Sequence, residues 1–136
     1  MEEKIFQLDI VTPRKTIFSG KVVSVSAPGE LGGFQVLVDH APLLSSLVIG
    51  QIKVTDKNGN TEWYATTGGF LEVRNNRVIL LAETAEKASE INVKRAEAAH
   101  DRAKERLHKR ESGTDLVRAE AALQRALNRL RIAGKN

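Results

Sequence analysis

Arginine recurs at matched intervals on two segments of this 136-residue chain: Arg95, Arg102 and Arg106 on the first, Arg118, Arg125 and Arg129 on the second. Offsets of seven and eleven residues return to nearly the same angle on a helix, so each segment carries one basic stripe. Guanidinium groups stay charged and only donate hydrogen bonds. The chemistry open to two such stripes is recognition of an anion, either phosphate oxygens or the carboxylates of an acidic protein loop. The competing reading is a solvated helix face laced by local pairs such as Glu90–Lys94 and Glu105–Lys109. Nucleic acid fits poorly: no recognition motif is present, no aromatic residue interleaves the stripe, and acidic residues interrupt it.

Nothing in the chain has the pattern of a catalytic centre. There is no phosphate loop of the Gly-x-x-x-x-Gly-Lys-Ser/Thr kind, no zinc motif and no nucleophile–base pair. Gly29-Glu30-Leu31-Gly32-Gly33 lacks the dinucleotide fingerprint, and His40, His100 and His108 have no metal-ligand spacing. Asn92 or Ser89 suits the N-cap of the first helix.

The elements that must carry the stripes follow from periodicity. Ala96, Ala99, Ala103 and Leu107 form a narrow apolar stripe in the first helical segment. Leu116, Ala119, Leu123, Ala126, Leu130 and Ala133 form an alternating three–four seam in the second. The break at Ser112-Gly113-Thr114 is short, which predicts antiparallel neighbours, and the facing alanines predict close approach. Burying alanine contributes little, so the hairpin is expected to be marginal and able to leave whatever it packs against.

The first half reads as β-structure. Residues 4–11 alternate and stop at Pro13; Lys21–Ala27, Phe34–Val38, Gln51–Thr55, Thr61–Thr66, Phe70–Val73 and Arg77–Leu81 are further strand candidates. Asp56-Lys57-Asn58-Gly59-Asn60 and Arg74-Asn75-Asn76 are hairpin turns, and Gly68-Gly69 marks a bulge or close backbone approach. Many short strands suggest a sandwich or barrel. Composition divides in the same way. All six aromatics lie within the first 70 residues, and residues 84–136 hold 13 Lys/Arg against 8 Asp/Glu, so the net charge of +4 arises there. Without cysteine there are no disulfides and no Cys-ligated zinc, which fits the cytosol. The acidic start Met1-Glu2-Glu3-Lys4 argues against a signal peptide. No apolar run approaches the roughly 18 residues of a membrane span, so membrane association is expected only through partners.

Several stretches, in order, resemble the epsilon subunit of bacterial F-type rotary ATP synthases. They are Gly29-Glu30-Leu31-Gly32, His40-Ala41-Pro42-Leu43, Gly68-Gly69-Phe70-Leu71-Glu72-Val73, Leu81-Ala82-Glu83-Thr84-Ala85-Glu86, and the run from Arg118 to Leu130. The resemblance spans essentially the whole chain. It implies an all-β sandwich of about ten strands over residues 1–86 and an antiparallel α-helical hairpin over 87–136. It also implies a non-catalytic rotor subunit of a proton- or sodium-translocating enzyme, on the cytoplasmic face of the bacterial cell membrane. The implied partners are the gamma subunit, the c-ring and the alpha/beta catalytic head, with Glu30 and His40 as candidate partner contacts. The hairpin is implied to inhibit ATP hydrolysis when extended and to bind ATP, with or without Mg²⁺, when folded. The nucleotide-binding candidates carried over are Glu86, Ile91, Asn92, Arg95, Ala96, Arg118, Arg125 and Arg129.

Two departures qualify that resemblance. The family's ATP motif has Asp where this chain has Asn92, which keeps the capping geometry and loses the charge, implying altered affinity. The link Gly33-Phe34-Gln35-Val36-Leu37-Val38-Asp39 is longer than usual and lacks the family's proline. Two alternatives stay open: a free-standing ATP-binding sensor, and a basic adaptor for nucleic acid.

Overall fold

A computed structural model describes residues 4–110, 113 and 115–135. Ten strands come first: β1 (Phe6–Val11), β2 (Thr16–Val22), β3 (Ser24–Gly29), β4 (Gly32–Leu37), β5 (Leu43–Leu47), β6 (Gly50–Thr55), β7 (Thr61–Thr66), β8 (Gly69–Arg74), β9 (Arg77–Ala82) and β10 (Ala85–Lys87). A 3-10 turn, Ala88–Glu90, leads into α1 (Val93–Lys109) and α2 (Leu116–Ala133). The ladder runs β10-β7-β6-β3-β5-β8-β9-β1-β2, with β4 paired to β3. β3 pairs β6 through residues 24–26 but meets β5 only at Gly29–Leu47, and there the sheet folds over into a sandwich. The β1–β9 pair is parallel.

Alternation fills the core. Phe6, Leu8 and Ile10 of β1 point inward with Val22, Val25, Val36, Ile52, Val54, Tyr64, Leu71, Val73, Val78 and Leu80. Both expected hairpins form. In the β6–β7 turn the Asp56 carboxylate accepts from the Asn58 and Asn60 N–H groups at 2.8 and 2.9 Å, and Gly59 has φ +84°. Asn75 and Asn76 both sit at positive φ, 50° and 58°, the geometry of a two-residue hairpin turn with the right twist. Gly69 is a close approach: a Cβ there would lie 2.0 Å from the Leu81 carbonyl oxygen.

Two sequence expectations need correction. Lys21–Ala27 is two strands, not one; Ser24 and Val25 are buried in succession, which breaks the alternation where the chain leaves β1 and joins β6. The expected sheet omitted β5, β10 and most of β2, residues 16–20 of which fell in no candidate. The expected strand Phe34–Val38 does form: the long link at 33–39 is mostly strand β4, paired to β3 from Gly29–Gly32 to Ser24–Leu37.

The helices form the expected hairpin, with Ala96 and Ala103 of α1 and Ala119 and Ala126 of α2 buried. The seam is shorter than its sequence: Leu116, in the first turn of α2 and beyond the alanine contact, remains exposed. Asn92, not Ser89, caps α1, its Oδ1 accepting from the Arg95 N–H at 3.0 Å; Asp115 caps α2 in the same way through Arg118. Because α1 starts at Val93, Glu90 lies outside it. The expected Glu90–Lys94 pair is absent among the described residues, whereas Glu105–Lys109 forms at 2.9 Å. The break at Ser112 and Thr114 lies outside the described residues.

Candidate anion-binding cleft

β10 is the strand that creates the site. It pairs antiparallel with β7, setting Glu86 opposite Ala65, and so presents the Glu86 carboxylate beside α2. There Arg129 donates to it twice, Nε to Oε1 at 2.8 Å and Nη2 to Oε2 at 3.1 Å. This two-point contact is partly buried and has the fork geometry that makes guanidinium–carboxylate pairs directional.

Two further α2 residues dock the hairpin. Asn128 is only 4% exposed. Its amide donates to the Gly50 carbonyl at 2.8 Å and, at 3.4 Å, to that of Thr66, two residues that face each other across β6 and β7. Ile132 is fully buried against Ala65, Ala88 and Ile91, a cluster that shares no member with the sandwich core. Lys135 places its ammonium 4.6 Å from the centre of the Trp63 ring, and Lys53 places another at 5.0 Å.

Between sandwich and hairpin lies a cleft of about 640 Å³. The β1–β2 turn, the ends of β7 and β10, the start of α1 and the middle of α2 border it. Its charged side chains are Arg14, Lys15, Arg95, Arg125 and Arg129, set against Glu83 and Glu86. Glu86 is spent on Arg129. Among the described residues no carboxylate pairs with Arg14, Lys15, Arg95 or Arg125. A cleft of this volume with unbalanced cations has the size and charge that a polyanion of nucleotide size would require. Glu83 is its remaining carboxylate, so the wall offers little of its own to a divalent cation, which would arrive on the phosphates.

The predicted nucleotide-site residues divide. Glu86, Arg95, Arg125 and Arg129 come together at the cleft. Ile91 is buried with Ile132, Ala96 lies in the seam between the helices, and the Asn92 oxygen is occupied by the cap. Arg118 is exposed near the loop end of α2 and does not border the cleft. Sequence reasoning missed Arg14, Lys15, Asn128 and Ile132. For the last two a signal existed: they stand four apart on α2 and off the alanine seam, marking a second buried face.

Next to the docking cluster, Lys87 meets Glu62 at 3.0 Å and the Tyr64 hydroxyl donates to Glu62 at 2.9 Å. Burial pushes the Glu62 carboxyl up, but the hydrogen bonds from Lys87 and Tyr64 outweigh it and hold it below the ordinary value. Burial, then the bonded Glu62 carboxylate, push the Tyr64 phenol up.

Glu30 and His40 share a groove elsewhere on the sandwich, with the fully exposed Leu31 between strands β3 and β4. On the outer face of β5, β8 and β9, Leu44, Phe70, Ile79 and Leu81 are exposed, with Phe70 directly opposite Leu81. Apolar residues gathered on one sheet face mark a surface that a partner covers.

The fold is thus a two-part chain, a β-sandwich with a helical hairpin packed on it and a cationic cleft at the joint. The family comparisons make this specific. Residues 5–88 match the model of the ATP synthase delta/epsilon chain beta-sandwich domain, and residues 89–134 that of its long alpha-helix domain; the chain belongs to this family. It is 48% identical over 132 residues to the ATP synthase epsilon chain of Nitratidesulfovibrio vulgaris, covering 97% of this chain and 98% of the relative. It is 45% identical over 130 residues to the epsilon chain of Desulforamulus reducens, covering 96% and 98%. The epsilon chain of Bacillus velezensis is also 45% identical, over 131 residues, with 96% and 98% covered. A chain in the Euglena gracilis mitochondrial ATP synthase structure (OSCP/F1/c-ring) has the same fold, with TM-score 0.79 at 19% identity, covering 98% of this chain and 83% of that one. A chain of the Tetrahymena thermophila central stalk/c-ring structure gives TM-score 0.56 at 14% identity, covering 99% and 98%.

Proposed function

We propose that this epsilon-type subunit links the rotor of a bacterial F-type ATP synthase to its c-ring, and that its hairpin senses ATP and restrains hydrolysis. The sandwich carries the coupling role. Its exposed Leu44–Phe70–Ile79–Leu81 face meets the gamma subunit, and the groove holding Glu30 and His40 meets the c-ring. That assignment puts the chain at the cytoplasmic face of the cell membrane, held there by partners; no helix among the described residues is long and apolar enough to cross it. The hairpin carries the regulatory role. Docked, it completes the cleft; extended, it offers its arginines to carboxylates of the alpha/beta catalytic head and blocks hydrolysis.

The observation that carries the ATP reading is the meeting of Arg95, Arg125 and Arg129 with the ends of β7 and β10 around a nucleotide-sized cleft. ATP supplies the negative charge that this wall lacks, and Arg129, fixed by Glu86, orients the docked helix. Calorimetric titration of the isolated chain with ATP, with and without Mg²⁺, tests it. Binding is expected, and Arg125→Ala should weaken it about tenfold, or ~1.4 kcal/mol. Arg118→Ala, away from the cleft, should leave affinity unchanged. Absence of ATP binding removes the sensor role. A chain that fails to co-purify with a gamma subunit removes the rotor role.

A further inference from the structure

The β1–β2 turn, Thr12-Pro13-Arg14-Lys15, borders the cleft from the sandwich, while Arg95 and Arg125 border it from the hairpin. The turn is braced. The Thr12 N–H donates to the Lys15 carbonyl at 2.9 Å and the Thr12 hydroxyl to the same oxygen at 3.1 Å. The Lys15 N–H returns a bond to Thr12 Oγ1 at 3.3 Å, and Pro13 fixes φ at the next position. Two adjacent cations therefore leave a held backbone at the rim, and among the described residues neither has an acidic partner.

We propose that Arg14 and Lys15 form the sandwich half of an anion clamp whose hairpin half is Arg95 and Arg125. The clamp makes nucleotide binding conditional on docking, and it ranks triphosphates above diphosphates. It rests on the ATP reading above. Either half alone is an exposed cationic pair, screened by solvent and worth little to a ligand. Brought together by docking, the halves repel unless an anion lies between them. A polyphosphate that reaches both halves gains the second contact intramolecularly, without a further loss of translational freedom. A third phosphate adds both reach and charge, so the tri- over diphosphate preference comes from having both halves. Because the clamp exists only in the docked form, the ligand has differential affinity for it and draws the population there.

The test is the double substitution Arg14→Gln and Lys15→Gln in the full chain. The turn's bonds are made by the backbone and Thr12, so the fold is kept. Calorimetry with ATP, ADP, inorganic tripolyphosphate and pyrophosphate reads the result. ATP and tripolyphosphate should weaken about five- to tenfold, and ADP and pyrophosphate about twofold or less, the scale of exposed charge contacts. The ATP concentration that docks the hairpin, read by Trp63 emission, should rise by the same factor as the ATP dissociation constant. Equal losses for the long and short anions, or no loss, overturn the clamp. If the double variant is unaffected while Arg125→Ala loses binding, the clamp falls and the nucleotide site stands. If the unmodified chain binds none of the four ligands, both fall.

Discussion

Replacing Asn128 by alanine should undock the hairpin without unfolding the sandwich. The 2.8 Å bond to the Gly50 carbonyl is a buried neutral hydrogen bond, worth about 1 kcal/mol net. The 3.4 Å contact to Thr66 is long and contributes less. Leaving those carbonyls under a methyl group adds a desolvation cost of roughly 1 kcal/mol at most, since each already has sheet neighbours. The sum, about 1–2 kcal/mol, shifts the docking equilibrium roughly 5- to 30-fold. It cannot grow larger, because an undocked hairpin returns both carbonyls to water. The core of the sandwich contains no residue of α2, so its melting temperature should not follow. Trp63 is the chain's single tryptophan and packs against the cluster that holds Ile132, so its emission reports docking without a label. Undocking should shift that emission to the red and speed hydrogen exchange in α1 and α2 while β1–β9 stay protected. Asn128→Leu separates volume from hydrogen bonding: it fills the space without a donor and should undock almost as fully. Unchanged Trp63 emission and helix exchange in both variants, or a matching loss of sandwich stability, would refute the reasoning.

Gly69→Ala should strike the sandwich instead. Its Cβ would stand 2.0 Å from the Leu81 carbonyl at a φ of +141°, so the expected cost is about 3 kcal/mol or more, a fall in Tm of at least ~10 °C; an unchanged melt rejects the close approach. Glu62 sets an acid limit. Its carboxyl is held below the ordinary 4.5 in the folded chain, so its contribution is complete above that value and fades as pH falls through the lower, folded one. Glu62→Gln should therefore flatten the decline in Tm as pH falls below 4.5, and parallel declines in both proteins would show that the Lys87–Glu62–Tyr64 contacts carry no linkage.

The parts of this molecule legible in the sequence are those fixed locally. Asn75-Asn76 and Asp56–Asn60 determine their turns from their own side chains and positive φ. The alanines determine the helix–helix approach, and Asn92 makes its own cap. What stayed hidden depends on distant partners. Leu43-Leu44-Ser45-Ser46-Leu47 has no alternation and becomes a strand because β8 lies beside it. Ala85-Glu86-Lys87 is a charged tripeptide with no strand propensity, and it pairs with β7 because Lys87 reaches Glu62 and Glu86 reaches Arg129. The cleft inherits this limit. Arg125 and Arg129 could be grouped by helical spacing on one stripe, and Arg95 on the other, but Arg14 and Lys15 sit eighty or more residues earlier, and only the folded sandwich brings their turn to the same rim.

That dependence on long-range contact bears on how the hairpin is controlled. Among the described residues its main attachments are one buried isoleucine with Ala133 packed beside it, one buried amide, one half-buried ion pair and one cation over an indole. Full burial of an isoleucine is worth roughly 1.5–3 kcal/mol and the amide about 1. The ion pair and the ring contact, open to solvent on one side, add about half a kcal/mol each. Set against these gains is the entropy of holding the hairpin on the sandwich, so the net bias is a few kcal/mol at most. A ligand present at a hundred times its dissociation constant contributes about 2.7 kcal/mol to the state that binds it. The two quantities are of one size. On the proposed ATP reading, a tighter joint would ignore the nucleotide and a looser one would never assemble the cleft, so weak docking is what that reading requires. If ATP docks the hairpin as proposed, substitutions that strengthen the apolar contact around Ile132, such as Ala133→Val, should reduce the change in docking on ATP addition, read by Trp63 emission, even where they leave the cleft residues untouched.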